Sequence, residues 1–314
     1  MTDFDPPADC DPSADFDPPA DEVRAVVERA LAEDVGLLGD LTSSLLTPAG
    51  MTAEIVARAA GCLAGRACAV EVFRQVDPSV TVSWRAADGN PVTPGQMLAV
   101  VAGPRASVLT AERTALNFLS HLSGIATEVS RYAALATAAG RARIRDTRKT
   151  TPGLRSLEKA AVRAGGGHNH RSGLSDWIML KDNHLVGIDI AEVVAAARQR
   201  WPGRTVQVEC DHIQQVDEAL VAGADALLLD NMAPDEVRVC VARAEGHDCL
   251  LEVSGGVTEE TVAEYAATGV DFISVGRITN SAPALDMALD ATDIAPDGTI
   301  APDGDGGPGR DRAV

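Results

Sequence analysis

The sequence is short of aromatic residues and of long apolar runs, and each shortage excludes a class of protein. Trp, Tyr and Phe make up only 3% of the 314 residues, too few for a surface that stacks nucleic-acid bases. No run approaches the roughly 18 apolar residues of a membrane-spanning helix. The six Cys form no C-x-x-C pair and have no zinc-like spacing with His, so we expect free thiols. The acidic start MTDFDPPADC contains no readable signal peptide, and we expect a cytoplasmic protein.

Negative charge is concentrated at the two ends of the chain. Of the formal net charge of −19, residues 1–22 contribute −8 and residues 286–314 contribute −5, which leaves −6 for the body. Both ends contain short repeats, DFDPPAD near the start and IAPDG near the end. Acidic, Pro-rich repeats bury too little apolar surface to offset the entropy of ordering. We therefore predict disordered tails at 1–22 and 293–314.

A basic segment lies inside this acidic protein, between residues 143 and 181. It holds nine bases against three acids, and all three lysines of the chain fall within it. We therefore expect a site that uses a compact ammonium, which a guanidinium does not mimic, and we expect Lys159 to be an ordinary helix-surface residue. A solvated basic face is the simpler explanation, but the neighbouring His168, His170 and His184 favour an anion pocket. The nine bases are Arg143, Arg145, Arg148, Lys149, Arg155, Lys159, Arg163, Arg171 and Lys181.

Two kinds of pattern follow each other along the chain. The first part, residues 23–124, reads as a small α+β domain, with a long helix from about 107 to 138 that is interrupted near Ser123-Gly124. From residue 143 onward, six short apolar runs alternate with helical segments, which predicts parallel strands with right-handed crossovers. A doubly wound sheet would fit this order. Because nearly every run ends in a chemically capable residue, we favour an open TIM-like α/β barrel over 125–279.

The predicted strand ends would meet at one mouth of such a barrel. The last two ends carry glycines, and with a helix predicted at 258–268 they favour a phosphate cradle of free backbone N–H groups. The ends are, in chain order, Thr147-Arg148-Lys149, Lys181, Glu209, Asp230-Asn231, Ser254-Gly255-Gly256 and Gly276-Arg277.

Two carboxylates among these strand ends are candidate metal ligands. Glu209 and Asp230 end adjacent predicted strands, so they could share a hard cation such as Mg²⁺. Alternatively, one of them caps an element while the other pairs with Lys149 or Lys181. Oxygen ligands around Mg²⁺ would suit a pyrophosphate leaving group.

A second, non-phosphate anion is the expected partner of the remaining cations. Arg148, Arg171 and Lys181, with His170, would bind it, since the Arg fork donates two parallel hydrogen bonds to a carboxylate. Clustered cations repel one another, which costs stability. Their presence therefore indicates a multiply charged ligand. Two anion subsites suggest transfer between a phosphorylated sugar and a carboxylated acceptor.

Long stretches of the chain, from about Glu33 to Asp290, resemble the quinolinate phosphoribosyltransferase family. The resemblance implies an N-terminal hammerhead-like α+β domain (23–124, completed by 280–292) packed on the open α/β barrel. It also implies a homodimer, or a higher even-numbered oligomer, in which Arg113 enters the partner's site. The matching stretches are ALNFLSHLSGIAT (115–127), DTRKTTPGLR (146–155), EKAAVRAGGGHNHRSGLSDWIMLKDNH (158–184), LLLDNM (227–232) and SGGV (254–257).

The resemblance further implies a reaction and a set of residues. Quinolinate and phosphoribosyl pyrophosphate would give nicotinate mononucleotide, pyrophosphate and CO₂, as in de novo NAD biosynthesis, with Mg²⁺ and no organic cofactor. Lys149, Glu209 and Asp230 would be catalytic, and the two carboxylates would hold the metal. The residues holding quinolinate would be Arg113, Arg148, His170, Arg171 and Lys181. Those holding the phosphoribosyl substrate would be Lys149, Glu209, Asp230, Ser254, Gly255, Gly256, Gly276 and Arg277, with Thr147 and Val275 completing the binding residues.

Three other functions compete with this one. A phosphoribosyltransferase acting on nicotinate would need only one carboxylate subsite, which the wealth of cations disfavours. A Schiff-base aldolase would use Lys181 as its nucleophile. A barrel that only senses anionic metabolites would have no use for the candidate metal carboxylates.

Overall fold

The computed structural model describes residues 17–292, so most of the first predicted tail and all of the second lie outside the described residues. The first helix, α1 (Ala20–Val35), begins within the last part of the predicted tail. Asp21 and Glu22 occupy its first turn, where acidic side chains interact favourably with the helix dipole. Helix α1 therefore starts within the segment that we predict as a tail, and the limit at 22/23 remains a prediction.

The described chain contains twelve strands and ten α-helices, with one short 3₁₀ helix at Ser43–Leu45. The elements up to the long helix are β1 (Gly50–Ala57), β2 (Gly61–Cys62), α2 (Arg66–Val76), β3 (Thr81–Trp84), β4 (Pro91–Val92), β5 (Met97–Pro104) and α3 (Arg105–Ala139). The elements after it are β6 (Arg143–Arg145), α4 (Arg155–Ala164), β7 (Ile178–Leu180), α5 (Asp182–Leu185), α6 (Ile190–Arg200), β8 (Val206–Cys210), α7 (Ile213–Val221), β9 (Ala226–Asp230), α8 (Pro234–Arg243), β10 (Leu250–Ser254), α9 (Val262–Ala266), β11 (Phe272–Ser274), α10 (Arg277–Asn280) and β12 (Met287–Thr292).

An antiparallel sheet with the order β12-β1-β5-β3 forms the first domain. Its outer strand β12 lies near the end of the described chain and pairs with β1 along its whole length. The chain thus returns from the second sheet to finish the first. The domain limits that we derive from the sequence remain predictions.

One continuous helix, α3, connects the two sheets, so the predicted interruption at Ser123-Gly124 is wrong. Gly124 packs so closely that a Cβ there would lie 2.1 Å from the carbonyl oxygen of Pro283. Ser123 donates a hydrogen bond to the carbonyl oxygen of Ala64 (3.1 Å) and accepts one from the same residue's N–H (2.9 Å). The small residues therefore mark a close packing contact of the helix, where the sequence pattern suggested a break.

The second sheet has six parallel strands in the order β6-β11-β10-β9-β8-β7. The two outer strands, β6 and β7, do not pair with each other, and the chain at His168 forms a single bridge to Arg145 of β6. This arrangement is the open α/β barrel predicted from the sequence.

The strand register decides which side chains face the barrel interior. Paired residues on parallel strands point to the same side, and alternate residues of one strand share a side. Asp230 pairs with Ser254, which also pairs with Ser274, and Glu209 pairs with Leu228. These side chains therefore share one face, together with Gln207 and Glu252 two positions earlier on their strands.

The helix predicted at 258–268 is much shorter in the structure. Helix α9 has only five residues, and Thr258 to Thr261 form a turn in which the Val262 N–H donates to the Thr258 carbonyl oxygen. Helix α10 after Gly276 has four residues. These short helices add little dipole to the predicted phosphate cradle. Its donors would be the backbone N–H groups of the two strand ends.

Residues 17–292 bear on two expectations from the sequence, that no helix spans a membrane and that the cysteines are free thiols. No helix there is long and apolar enough to cross a membrane. The five Cys in this range are free, and four of them are buried. Burial raises the pKa of Cys62 to about 11 and that of Cys68 to about 12. Such thiols are packing residues, not nucleophiles.

Candidate active site

A cavity of about 330 Å³ opens at the carboxyl ends of the barrel strands. This is the end at which barrel enzymes carry their sites. Nine of the predicted site residues line it, namely Thr147, Arg148, Lys149, His170, Arg171, Lys181, Glu209, Asp230 and Ser254. The structure thus brings the cations and both candidate metal carboxylates to one opening.

Arg148 and Lys149 are the exposed cations of this opening. Within residues 17–292 neither side chain makes an ion pair or a hydrogen bond through its charged group. Their loop is held by Arg155, whose guanidinium donates to the Thr150 hydroxyl (3.0 Å) and to the carbonyl oxygens of Arg148 (3.3 Å) and Ser172 (3.0 Å). The backbone is therefore fixed while both charges stay available to a ligand.

His170 and Arg171 lie deeper and are buried, with 6% and 7% of their surface exposed. The Arg171 guanidinium contacts the sulfur of Met179 at 3.4 Å. Burial lowers the pKa of Arg171, and the positive charge of Arg148 lowers it further. Burial also lowers the pKa of His170, although the Glu252 carboxylate opposes that shift. Arg171 has no ion pair within residues 17–292, so an anionic ligand would stabilise its buried charge.

The buried ion pair of Lys159 and Asp146 hydrogen-bonds to both backbone groups of His170. The Asp146 carboxylate accepts from the His170 N–H (2.7 Å), and the Lys159 ammonium donates to the His170 carbonyl oxygen (2.9 Å). Lys159 and Asp146 are 2.5 Å apart and almost completely buried. The expectation that Lys159 is a surface residue is wrong, because its helix turns this position toward the barrel.

The two candidate metal carboxylates have different partners. Glu209 is buried and is paired with the Lys181 ammonium, which is one of the alternatives that the sequence leaves open. Asp230 accepts a hydrogen bond from the Asn231 side chain (2.7 Å). Residues 17–292 contain no group of three His, Cys, Asp or Glu side chains that could enclose a metal ion. Two carboxylates suit a Mg²⁺ ion that takes its other ligands from substrate phosphates and water.

Consecutive glycines follow Ser254 at the mouth, and both have positive φ angles, +99° for Gly255 and +62° for Gly256. A Cβ on Gly255 would lie 2.2 Å from the Asn231 side-chain oxygen. A Cβ on Gly276 would lie 2.9 Å from the side chain of Lys149. Glycine is therefore needed at these positions for backbone conformation or close approach.

Six predicted site residues are not part of the cavity lining: the three glycines described above (Gly255, Gly256 and Gly276), Val275, Arg277 and Arg113. Val275 is buried, and its N–H donates to the carbonyl oxygen of Arg145. The exposed Arg277 lies 3.9 Å from the carboxylate of Glu128 on α3. Arg113 is exposed on α3, outside the cavity of its own chain.

Four lining residues were not singled out from the sequence: Met179, Leu228, Glu252 and Ser274. Glu252 is 1% exposed. The available signal was the occurrence of a charged residue inside the buried strand LLEVS and of a glutamine inside VQVEC, because fully buried parallel strands are normally apolar. We call Arg145, Asp146, Lys159, Gln207, Glu252 and Ser274 the buried support, and Arg148, Lys149, Lys181 and Asp230 the mouth.

An open barrel with exposed cations, glycine-rich strand ends and two carboxylates around one cavity defines an enzyme that acts on polyanionic substrates. Comparison with known proteins identifies the family. The model of the quinolinate phosphoribosyl transferase N-terminal domain matches residues 40–123, and that of the C-terminal domain matches residues 125–290. The chain belongs to the quinolinate phosphoribosyltransferase family.

Individual relatives agree with this assignment. The chain is 42% identical over 274 residues to a probable nicotinate-nucleotide pyrophosphorylase [carboxylating] of Bacillus subtilis, covering 86% of this chain and 94% of that protein. It is 40% identical over 277 residues to the nicotinate-nucleotide pyrophosphorylase [carboxylating] of Mycobacterium leprae, with 86% and 97% covered. The structure of the Francisella tularensis nicotinate-nucleotide pyrophosphorylase matches with a TM-score of 0.84 at 37% identity, covering 88% of this chain and 98% of that one. The predicted family, fold class and enzyme class are confirmed.

Proposed function

We propose that the protein transfers the phosphoribosyl group of phosphoribosyl pyrophosphate to quinolinate and releases pyrophosphate and CO₂, giving nicotinate mononucleotide for NAD biosynthesis. The observation that carries this proposal is the single cavity lined by cations and by two strand-end carboxylates, in a chain of this family. We expect the reaction to take place in the cytoplasm, an expectation that rests on the sequence.

The pyridine dicarboxylate is assigned to the cationic side of the cavity. Arg148, Arg171 and His170 bind its carboxylates there, and Lys181 reaches in from the end of β7. The lining side chains of Met179 and Leu228 supply an apolar surface for the face of an aromatic ring. The carboxylate that is retained takes the strongest Arg contact, because a carboxylate held too tightly would not leave as CO₂.

The phosphoribosyl substrate is assigned to the opposite side. Backbone N–H groups at Ser254-Gly255-Gly256 and Gly276 can donate to phosphate oxygens, as in other anion-binding loops. The unpaired ammonium of Lys149 lies beside Gly276, where it would offset charge on the pyrophosphate leaving group. Thr147 keeps that lysine in place by accepting a hydrogen bond from its backbone N–H (3.0 Å).

Glu209 and Asp230 complete the proposed catalytic set. They are the residues that would hold Mg²⁺, which supplies electrostatic stabilisation of the pyrophosphate when it is bound. Their negative charges also stabilise the cationic sugar that forms as the bond to pyrophosphate breaks. Glu209, on the phosphoribosyl side, forms an ion pair with Lys181, on the quinolinate side. The two substrate subsites are therefore in contact through this pair.

The chemistry needs no organic cofactor. The ring nitrogen of quinolinate attacks the anomeric carbon, and the bonding pair of the departing C–O bond leaves with pyrophosphate. The nitrogen is then cationic, so it stabilises the electron pair that stays on the adjacent ring carbon when the neighbouring carboxylate departs as CO₂. A proton from solvent then bonds to that carbon and gives nicotinate mononucleotide. The protein's part is to bind, orient and exclude water.

Release of CO₂ tests this function directly. Quinolinate labelled in its carboxyl groups is incubated with the protein, phosphoribosyl pyrophosphate and Mg²⁺, and we expect labelled CO₂ and nicotinate mononucleotide in equal amounts. Nicotinate turnover without CO₂ release would instead assign the protein to nicotinate. Covalent trapping of a keto substrate by borohydride would support the aldolase, which the half-buried, carboxylate-paired Lys181 disfavours.

We also propose that the protein is a homodimer in which Arg113 completes the partner's site. Four leucines in the segment after α1 are largely exposed: Leu37, Leu38, Leu41 and Leu45. This segment and the end of α1 are tied to α3 around Arg113, since Thr110 donates to Asp40 (2.8 Å) and Thr114 donates to Asp34 of α1 (3.2 Å). Exposed leucines in a segment that is bound next to an exposed arginine are the kind of surface that a partner subunit covers.

Mixing of inactive variants tests the shared site. Arg113→Ala and Lys149→Ala protomers, dissociated and reassociated together, should regain up to roughly a quarter of wild-type activity, because mixed dimers have one intact site. The control mixture of Arg148→Ala with Lys149→Ala should stay inactive, since both residues line the same chain's cavity. Equal behaviour of the two mixtures would place Arg113 outside the partner's site.

A further inference from the structure

Glu252 on β10 lines the cavity and is almost fully buried. One carboxylate oxygen accepts from the Gln207 side-chain amide (3.0 Å) and from the Arg145 guanidinium (3.1 Å). The other accepts from the Ser274 hydroxyl and lies 3.4 Å from Nε2 of His170. A buried carboxylate with so many donors is held in one position.

The contacts of Gln207 fix the orientation of its amide. Its nitrogen faces the Glu252 carboxylate, which can only accept, and its oxygen lies 3.3 Å from the indole nitrogen of Trp177, which can only donate. Reversing the amide would place donor against donor at Trp177 and acceptor against acceptor at Glu252.

This orientation in turn determines the tautomer of His170. Nε2 of the ring is 3.2 Å from the Gln207 oxygen and 3.4 Å from the Glu252 carboxylate. Both neighbours are acceptors, so Nε2 must carry a proton. The ring packs against Trp177, with centroids 4.7 Å apart, and Nδ1 has no hydrogen-bond partner within residues 17–292.

We propose that Glu252 is a positioning residue which, with Gln207, fixes His170 as the Nε2-protonated tautomer in the ligand-free protein. Nδ1 is then the ring atom that faces the substrate, and it binds a quinolinate carboxylate by taking up a proton from solvent and donating it in a hydrogen bond. The part of the proposal that concerns substrate rests on the proposed function. Glu252 itself acts through His170, which lines the cavity beside Arg171.

The tautomer is measured on the ligand-free protein by ¹⁵N NMR of labelled histidine, with the His170 signals identified by their loss in His170→Asn. We expect a protonated Nε2 and an unprotonated Nδ1 in the wild type near neutral pH. In Glu252→Gln an amide donor faces other donors, so Gln207 is released and the His170 pattern changes. A wild-type ring protonated at Nδ1 alone, or an unchanged pattern in Glu252→Gln, overturns the proposal.

An exchange of the two side chains provides the rescue. In the double variant Glu252→Gln with Gln207→Glu, the carboxylate now at position 207 accepts from both Nε2 of His170 and Trp177, as the Gln207 amide oxygen does in the wild type. The wild-type pattern should therefore return. Should the single variant fail to fold, the wild-type spectrum and this double variant still decide: a double variant without the Nε2-protonated ring counts against the proposal.

Glu158→Gln is the matched control. Glu158 is as buried as Glu252 and also contacts one histidine ring, His121 (2.9 Å), but it does not line the cavity. We expect this variant to lose stability while the His170 signals stay unchanged. A shift of those signals equal to that in Glu252→Gln would show a general structural effect and contradict the proposal.

Kinetics give the second readout. Losing one oriented contact to a charged group should raise the quinolinate KM of Glu252→Gln by roughly ten- to a hundredfold and leave the phosphoribosyl pyrophosphate KM within about twofold. Equal rises for both substrates would contradict a role through His170. Absence of any quinolinate turnover in the wild type would instead count against the proposed function, and the NMR result would stand separately.

Discussion

The mouth and the buried support meet at the same cavity, but they differ in whether their charges are paired. In the support, Lys159 faces Asp146 and Arg145 faces Glu252, so each charge has a nearby opposite charge. At the mouth, Arg148 and Lys149 have no such partner within residues 17–292. The charges of the support are therefore paired before any ligand arrives, although Nε of Arg145 has no hydrogen-bond partner within residues 17–292. At the mouth, Arg148 and Lys149 gain their counter-charges from the substrates, whereas Lys181 is already paired with Glu209.

This difference separates stability from activity. Removing one member of a satisfied buried pair leaves the other charge stranded, so the cost falls on folding. Removing an exposed, unpaired cation costs the folded state little and relieves repulsion, so the cost falls on substrate binding. Substitutions in the two regions should therefore affect different measurements.

The largest effect is expected for Lys159→Met in the buried support. Met keeps the length of the side chain but leaves the Asp146 carboxylate without its opposite charge and the His170 carbonyl without the Lys159 donor. We expect a loss of about 3–5 kcal/mol in the free energy of unfolding, measured by urea denaturation. The control is Arg238→Ala, whose partner Asp235 is 94% exposed, and there the loss should stay below about 1 kcal/mol. Similar losses in the two variants would remove the distinction between the regions.

Arg148→Ala tests the mouth. We expect kcat/KM for quinolinate to fall by about a hundredfold, because a charge-assisted carboxylate contact is lost, while the free energy of unfolding changes by less than about 0.5 kcal/mol. The matched control is Arg143→Ala, an exposed arginine at the other end of β6, outside the cavity. Wild-type kinetics in Arg148→Ala would remove this residue from the quinolinate subsite.

Gly255→Ala tests the consecutive glycines that follow Ser254 at the end of β10. The added Cβ would meet the Asn231 side chain at 2.2 Å and its backbone nitrogen at 2.9 Å, and Asn231 donates to Asp230. We expect the KM for phosphoribosyl pyrophosphate to rise by roughly tenfold, with about 1–3 kcal/mol of lost stability from backbone strain. Gly256→Ala is the control, since it also has a positive φ but no atom within 4 Å of the new Cβ. Equal KM changes would mean that strain alone, without displacement of Asn231, explains the effect.

The sequence predicted the mouth better than the support, for a physical reason. Mouth residues stand at the ends of apolar runs. A strand that ends in Lys181, Glu209 or Asp230 can therefore be recognised as part of a site from its own short stretch of sequence. The family resemblance supplied the reaction, which composition and spacing alone left among several phosphate- and carboxylate-binding possibilities.

The support depends on contacts between residues far apart in the chain, which one sequence does not record. Lys159 reads as a surface lysine because its helix carries polar residues on several sides, and only the packed structure turns it toward Asp146. Glu252 finds its partners on three other strands. Ser123-Gly124 reads as a helix break for the same reason, because the segment at Pro283 that packs there is distant in sequence.

The smallest expected effect is a pH dependence of stability that originates in the support. Burial lowers the pKa of His170 in the folded protein, and the positive charges of Arg145, Lys159 and Arg171 lower it further against the opposing Glu252. The unfolded chain takes up this proton near pH 6.5, so below that pH the unfolded state binds more protons than the folded state. The free energy of unfolding should therefore decrease as pH falls through about 6.5, and His170→Asn should flatten that slope in urea titrations. His168 is the control: burial also lowers the pKa of its ring, but the residue is exposed, so His168→Asn should flatten the slope less. If the two variants flatten it equally, the buried position of His170 has no special part in the pH response.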